Sequence, residues 1–289
     1  MASLQRPRFT QLVVDTMREL YPEELADRTW DNVGLLQDNI QPDSGSVPPR
    51  VLLTNDLTPD VAEEAIQKNV SVIVTYHPFI FRGLKSITLP DPQQSTILRL
   101  ARANIAVYSP HTAVDAAPGG VNDWLANLLD QYPLVIEDFS VIQPAASKPD
   151  HVPYAGYGRL VTLRTETDLE TVVAIYAQKL GLRGVLVARP KNPRPVKTIA
   201  FCAGSGYDVV KDAEADLVVT GEVSHHNALR LKMLGRSVLA VCHSNSERGW
   251  LREVLKEKLT EELKGTVPEV EVLVSEEDQD PLEFWAVEE

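Results

Sequence analysis

Apolar residues in this chain fall into short β-branched runs joined by stretches with helical spacing. Val72-Ile73-Val74 and Ile105-Ala106-Val107-Tyr108 are each too short for an isolated helix and predict buried parallel strands. Between them, Ile97, Leu98 and Ala101 lie on one helical face, so the unit predicts strand–helix–strand. The same order returns near the C-terminus, with Leu217-Val218-Val219-Thr220, a helix from Ala228 to Leu234 closed by Gly235, and a strand from Ser237 to Val241. Upstream, Val51 to Thr54 and Thr198 to Phe201 each precede a helix. The pattern predicts an internal duplication into two βαβαβ halves.

The remaining elements follow from the same periodicities. Phe9, Leu12, Val13, Met17 and Leu20 give a helix over Arg8 to Tyr21, bounded by Pro7 and Pro22. Thr58 suits a helix cap, with Pro59 at the first helical position. A second strand–helix–strand piece is expected from Tyr157 to Ala188, flanked by linkers at Pro144 to Pro153 and Lys191 to Pro195. One long helix is expected from Ser246 to about Lys264, then a strand from Val270 to Val274 and an acidic tail. The expectation is an α/β fold of two similar, intertwined three-layer α/β/α domains. Residues 1–130 and 243–289 would form the first lobe, and 131–242 the second.

Each strand pair ends at chemistry. In open α/β sheets, ligands gather outside the carboxyl ends of the strands. Here those ends deliver Thr75-Tyr76-His77-Pro78, His111 with Asp115 four residues on, and His243 with Glu247 four residues on. Carboxylates and neutral imidazoles are the natural donors for a dinuclear site holding Fe, Mn, Zn or a similar divalent ion. Such a pair would lower the pKa of a bound water and clamp an anionic substrate. If the halves face one another, His77, Asp115, His243 and Glu247 converge. His111 suits ligation, a supporting role or catalysis, since Pro110 can aim its ring elsewhere. His225 and His226 could line the site or serve structure, and His151 sits in a Pro-flanked linker.

Composition narrows the class. With 44% hydrophobic and 24% charged residues, the 289-residue chain has a globular balance. A net charge of −13 argues against direct nucleic-acid binding, which needs a basic face. No apolar run reaches the roughly 18 residues a membrane span needs. Cys202 and Cys242 provide no disulfide framework and fit small buried hydrophobes in a reducing compartment. A cytoplasmic protein is expected, with a nuclear or mitochondrial pool as the alternative.

At these residues the chain resembles the Nif-three-like family, also called GTP cyclohydrolase I type 2-like proteins. The resemblance rests on Trp30-Asp31-Asn32-Val33-Gly34-Leu35, Thr75-Tyr76-His77-Pro78, His111-Thr112-Ala113-Val114-Asp115, Gly119-Gly120-Val121-Asn122-Asp123, Gly156-Tyr157-Gly158-Arg159, Gly204-Ser205-Gly206, Thr220-Gly221-Glu222, and His243 with Glu247. These motifs occur in order and span nearly the whole chain. The resemblance implies a ring-shaped homo-oligomer, often a hexamer, and a centre of up to two divalent metal ions on His77, Asp115, His243 and Glu247. Many bacterial members carry two adjacent histidines where this chain has Tyr76-His77, a version similar to the eukaryotic branch. Members of that branch are also described as partners of transcriptional coactivators.

Two functions follow as expectations. One is a metal-dependent hydrolase of a small nucleotide or phosphorylated substrate, with His111 or Tyr76 handling protons or orienting the substrate. The other is a non-enzymatic oligomeric interaction protein with metal in a structural role; metal storage or delivery is a third.

Overall fold

The computed structural model describes residues 4–40, 46–131, 133–283 and 285. It divides the chain into two compact units, residues 1–114 with 251–279 and residues 115–250 with 280–289. The sequence expectation set these divisions at 130 and 243. The segment from Asp115 to Asp130 belongs to the second unit because buried Asn122, Asp123 and Trp124 pack and hydrogen-bond there.

The first unit is built on a five-stranded sheet in the order β1-β4-β3-β2-β11. Its strands are β1 (Gly34–Gln37), β2 (Arg50–Thr54), β3 (Val72–Thr75), β4 (Ala106–Ser109) and β11 (Glu271–Val274). All pair in parallel except β1, which runs antiparallel to β4. Leu52, Ile73 and Val107 point to one face, where they pack with Val61, Ala62 and Ala65 of α2 (Pro59–Gln67) and Ile97 and Leu100 of α3 (Pro92–Arg102). The alternate residues Val51, Leu53, Val72 and Val74 are fully buried too, so both faces are covered, as continuous apolar strands require. α1 (Arg8–Leu20) and α10 (Lys256–Lys264) pack against each other and complete this unit. Thr58 caps α2 through its side chain, with Pro59 first, as its sequence predicts.

The second unit carries a six-stranded sheet in the order β5-β6-β8-β9-β10-β7. Its parallel centre is β8 (Val196–Cys202), β9 (Leu217–Thr220) and β10 (Ser237–Ala240). β7 (Leu186–Ala188) runs antiparallel to β10 at one edge. β5 (Ile136–Pro144) and β6 (Gly156–Thr167) form a long hairpin at the other. One face packs on α7 (Tyr207–Val210) and α8 (His225–Met233), through Ala200, Val218, Val238, Val210 and Leu231. α5 (Val121–Asn127) contacts β6 and β8, while Tyr176 of α6 (Leu169–Lys179) meets the ring of Phe201.

The duplication is visible as topology: both units contain a parallel triplet, β2-β3-β4 and β8-β9-β10, with a short antiparallel strand beyond the third, and the first unit adds β11 in parallel at the other side. The helices feeding these strands also end alike. After α2, α3 and α8 the chain turns at Asn69, Asn104 and Gly235, all with positive φ. In each case the next N–H returns to a carbonyl five residues back: Val70 to Ala65, Ile105 to Leu100, and Arg236 to Leu231.

Three elements depart from the sequence expectation. β5 was not anticipated, because a bulge between Ile136 and Asp138 breaks its two-residue period. α8 begins at His225 rather than Ala228, since Ser224 caps it. The expected long C-terminal helix begins with a 3-10 turn at Ser244–Ser246 and one α-turn, α9 (Arg248–Trp250). A π-turn at Leu251–Leu255 follows before α10. Among the described residues, no helix is long and apolar enough to cross a membrane.

Candidate metal and hydrolytic site

In the first unit, β3 and β4 end side by side and present Tyr76, His77 and His111. The ring of Tyr76 is buried and meets both imidazoles edge-on, with centroids 4.9 Å from His77 and 5.5 Å from His111. The two imidazole centroids lie 5.4 Å apart. Trp30 and Phe81 extend this cluster, each with its ring edge-on to His111. Trp30 is 53% exposed although Asp27 accepts its indole N–H at 3.0 Å, so a pinned aromatic face looks outward. A cleft of about 370 Å³ beside His77 is lined by Asp56, Thr58, Phe79, Gln93 and Thr96 among others.

Both histidines are oriented by acids. His77 Nδ1 lies 2.8 Å from Asp56 Oδ1, and His111 Nδ1 lies 2.7 Å from Asp31 Oδ1. A carboxylate on Nδ1 favours the N–H there and leaves Nε2 as the lone-pair nitrogen. Asp31 also accepts from the backbone N–H groups of Asn32 and Thr112 and from the Thr112 hydroxyl. Burial alone would raise its carboxyl, but the bonds from His111 and Thr112 outweigh burial and hold it below the usual carboxylate range. His111 has a positive φ of 29°, a backbone region that costs energy in a non-glycine residue.

In the second unit, β9 and β10 end at Glu222, Cys242 and His243. His243 Nδ1 lies 2.9 Å from Glu222 Oε1, and its Nε2 lies 3.3 Å from Glu247 Oε1. Glu247 is 1% exposed. Hydrogen bonding to Glu247, reinforced by Glu222, pushes the imidazole up to about 9. Gly204 faces this pair with φ of 59°; a Cβ there would sit 2.6 Å from Glu247 Oε1 and 3.0 Å from His243 Nε2. Gly221 is equally constrained, since its Cβ would meet the Gly204 carbonyl at 2.6 Å. Ser246 Oγ accepts from the Gly204 N–H and donates to the His243 carbonyl, tying loop to turn.

Asp115 lies half-buried on α4 (His111–Ala116), and its carbonyl accepts from Asn122 Nδ2 at 3.0 Å. Asn122 Oδ1 in turn accepts from the Ala203 N–H at 2.9 Å. Burial pushes the Cys202 thiol up, and the charges of Asp115 and Glu247 act in the same direction. Behind this rim, buried Arg159 pairs with Asp123 at 2.5 Å and donates to the Gly156 and Gly158 carbonyls.

Glu247, His243 and Asp115 thus belong to one unit, and His77, His111 and Tyr76 surround one strand end of the other. His225, His226 and His151 are exposed. The equivalence of His111 and His243 drawn from their spacing is off by one. The second residue beyond β4 is His111 and beyond β10 is Cys242, and both have positive φ. Sequence reasoning did not assign the orienting acids Asp31, Asp56 and Glu222. Asp56 and Glu222 each lie two residues beyond a strand end, of β2 and β9, a signal that could have marked them.

Within the second unit the donors fit a divalent ion: the buried Glu247 carboxylate, the His243 imidazole with Nδ1 held by Glu222, and Gly204, where any Cβ would crowd both. The class so defined is a two-sheet α/β protein with acid-oriented histidines at its strand ends. Over residues 10–281 the sequence matches Duf34/NIF3 (NGG1p interacting factor 3), and the chain belongs to that family. It is 44% identical to Protein NIF3 homolog of Schizosaccharomyces pombe over 268 residues, covering 92% of this chain and 94% of the relative. It is 39% identical to NGG1-interacting factor 3 of Saccharomyces cerevisiae over 282 residues, covering 93% and 95%. The fold is shared with a Bacillus cereus protein related to NIF3, at 21% identity and a TM-score of 0.80 over 97% of this chain and 100% of that one. It is shared too with reduced HcgD of Methanocaldococcus jannaschii, at 20% identity and a TM-score of 0.72 over 95% and 99%.

Proposed function

We propose that this protein is a metal-dependent hydrolase of a small nucleotide or other phosphorylated compound. The observation that carries the reading is the repeated acid–imidazole pair: Asp56 with His77, Asp31 with His111, and Glu222 with His243. That arrangement prepares Nε2 for a metal or a proton and is the usual support of metal-ligating histidine. The ligands would be those the sequence points to, His77, Asp115, His243 and Glu247, for up to two divalent ions per chain. A bound divalent ion supplies Lewis acidity toward an anionic substrate and its water.

The chain's own residues divide the remaining work. His111, with Nδ1 held by Asp31, accepts the proton of the attacking water at Nε2 and returns it to the leaving group. Tyr76 packs both imidazoles in place. Trp30 and Phe81 offer aromatic faces on which a nucleobase can stack. Metal content per chain by plasma mass spectrometry, on the native protein and on His243→Ala and Glu247→Ala, tests the reading. One or two ions lost in both variants, with metal-dependent hydrolysis lost alongside, supports it; full turnover in Glu247→Ala overturns it.

A second reading is favoured by one relative's name. The Saccharomyces cerevisiae protein is called NGG1-interacting factor 3. On this reading the protein is a ring-shaped homo-oligomer, a hexamer, that binds transcriptional partners and keeps its metal for structure. Partner capture that survives metal removal and Glu247→Ala would favour it. In either case a cytoplasmic location is proposed, with a nuclear pool under the second reading.

A further inference from the structure

The second unit carries a surface unlike the rest of this acidic chain. Residues 181–195 and 225–236 hold seven Lys and Arg and no Asp or Glu, against a net charge of −13 overall. They form β7 with its flanking loops and α8 with its C-terminal turn, and the two elements touch. β7 is the outermost strand, so among the described residues one side of its backbone has no strand partner. Leu186 on β7 is 70% exposed and Met233 on α8 is 78% exposed; Val187, Leu229 and Leu234 are exposed beside them in the chain. Of α8, only Leu231 is buried. Arg183, Arg189, Lys191, Arg194, Arg230 and Lys232 supply exposed cations, and Arg194 reaches to 4.0 Å of a Cβ position at Gly235. Glu170 pairs with Arg189 and Asp212 with Arg230, and Arg194 shares a cleft with Glu166, Asp168 and Glu170.

The complement is at the chain's other end. Residues 276–289 carry seven Asp and Glu, no Lys or Arg, and the apolar side chains Leu282, Phe284, Trp285 and Val287. Asp280 accepts from the Ser244 hydroxyl, which ties the start of this tail to the second unit. Beyond it Leu282 and Trp285 are exposed, at 76% and 81%. In this copy Leu282 and Trp285 are therefore not laid on the basic surface.

We propose that the acidic tail of a second copy of this chain docks along β7 and α8. Its backbone would add to the open β7 edge, Leu282 and Trp285 would cover Leu186, Leu229 and Met233, and its carboxylates would meet the surrounding cations. Strand addition supplies generic hydrogen bonds, while apolar anchors and charge set the partner. Nucleic acid would use the cations but leave the apolar groups and the strand edge unused.

The test is fluorescence anisotropy of a labelled peptide of residues 276–289 titrated with the full chain, with the same peptide scrambled as control. The native peptide should bind, weaken as salt rises and lose about tenfold in affinity in Met233→Glu and in Arg194→Glu. Circular dichroism of both variants should be unchanged, because both positions are exposed. Sedimentation of the full chain should show association that shrinks when residues 281–289 are removed. Equal binding of the scrambled peptide, tighter binding of single-stranded nucleic acid, or association indifferent to the tail would each overturn the proposal.

Discussion

Asp31 Oδ1 lies 2.7 Å from His111 Nδ1, joining a turn and a strand end that are 80 residues apart in sequence. The pair sets the tautomer of His111 and with it the nitrogen that can take a proton. Asp31→Asn removes the charge and leaves the shape. We expect the Nδ1–H signal of His111 to be lost or displaced in proton–nitrogen spectra. Turnover should fall about a hundredfold or more, with kcat affected more than KM. An unchanged tautomer would show that Asp31 serves the turn alone.

The same carboxyl predicts an acid limb. Its folded-state value lies below its unfolded one, so its stabilisation is present above the ordinary carboxylate range and is lost as pH falls through the folded value. Acid unfolding followed by circular dichroism should therefore begin at higher pH in His111→Ala, where the main bond holding Asp31 low is gone.

His243 works in the opposite direction. Its folded-state value is raised to about 9, so the stability from its imidazolium is complete below about 6.5 and lost as pH rises through 9. In metal-free protein, nuclear magnetic resonance should show His243 titrating near 9. Glu222→Gln and Glu247→Gln should each lower that value. Since a metal needs the neutral ring, ion binding at pH 7 should release a proton and tighten as pH rises.

Gly204 marks a close approach of backbone to Glu247. A Cβ there meets the carboxylate at 2.6 Å while the backbone holds a left-handed conformation. Gly204→Ala should cost about 1–3 kcal/mol and weaken metal binding about tenfold or more, read by thermal unfolding and by metal titration. A variant with native stability and affinity would show that this close approach has no part in binding.

Arg159 and Asp123 are both buried, and Tyr154 and the Gly119 N–H also donate to the carboxylate. Breaking the pair with Asp123→Ala leaves a buried guanidinium unpaired and should cost about 3–5 kcal/mol in urea unfolding. Replacing both residues by apolar ones of similar volume should cost less than either single change, because no charge is left unpaired.

The chain by itself determined a good deal. Continuous apolar runs located β2, β3, β4, β8, β9 and β10, since strands buried on both faces tolerate little else. Thr58 with Pro59 marked the start of α2, and the strand-end histidines followed from the place where such sheets put their chemistry. Tertiary structure decided the rest. The hairpin strand β5 takes its conformation from pairing with β6, and its bulge erases the local period. Ser224 captures the start of α8 and so turns His225 and His226 onto an exposed helix. Above all, Asp31 reaches His111 and Asp123 reaches Arg159 across 80 and 36 residues, so no local pattern announces them. Periodicity records burial, which a residue feels through its own polarity. The orientation of an imidazole depends on a partner that only the folded chain brings to it.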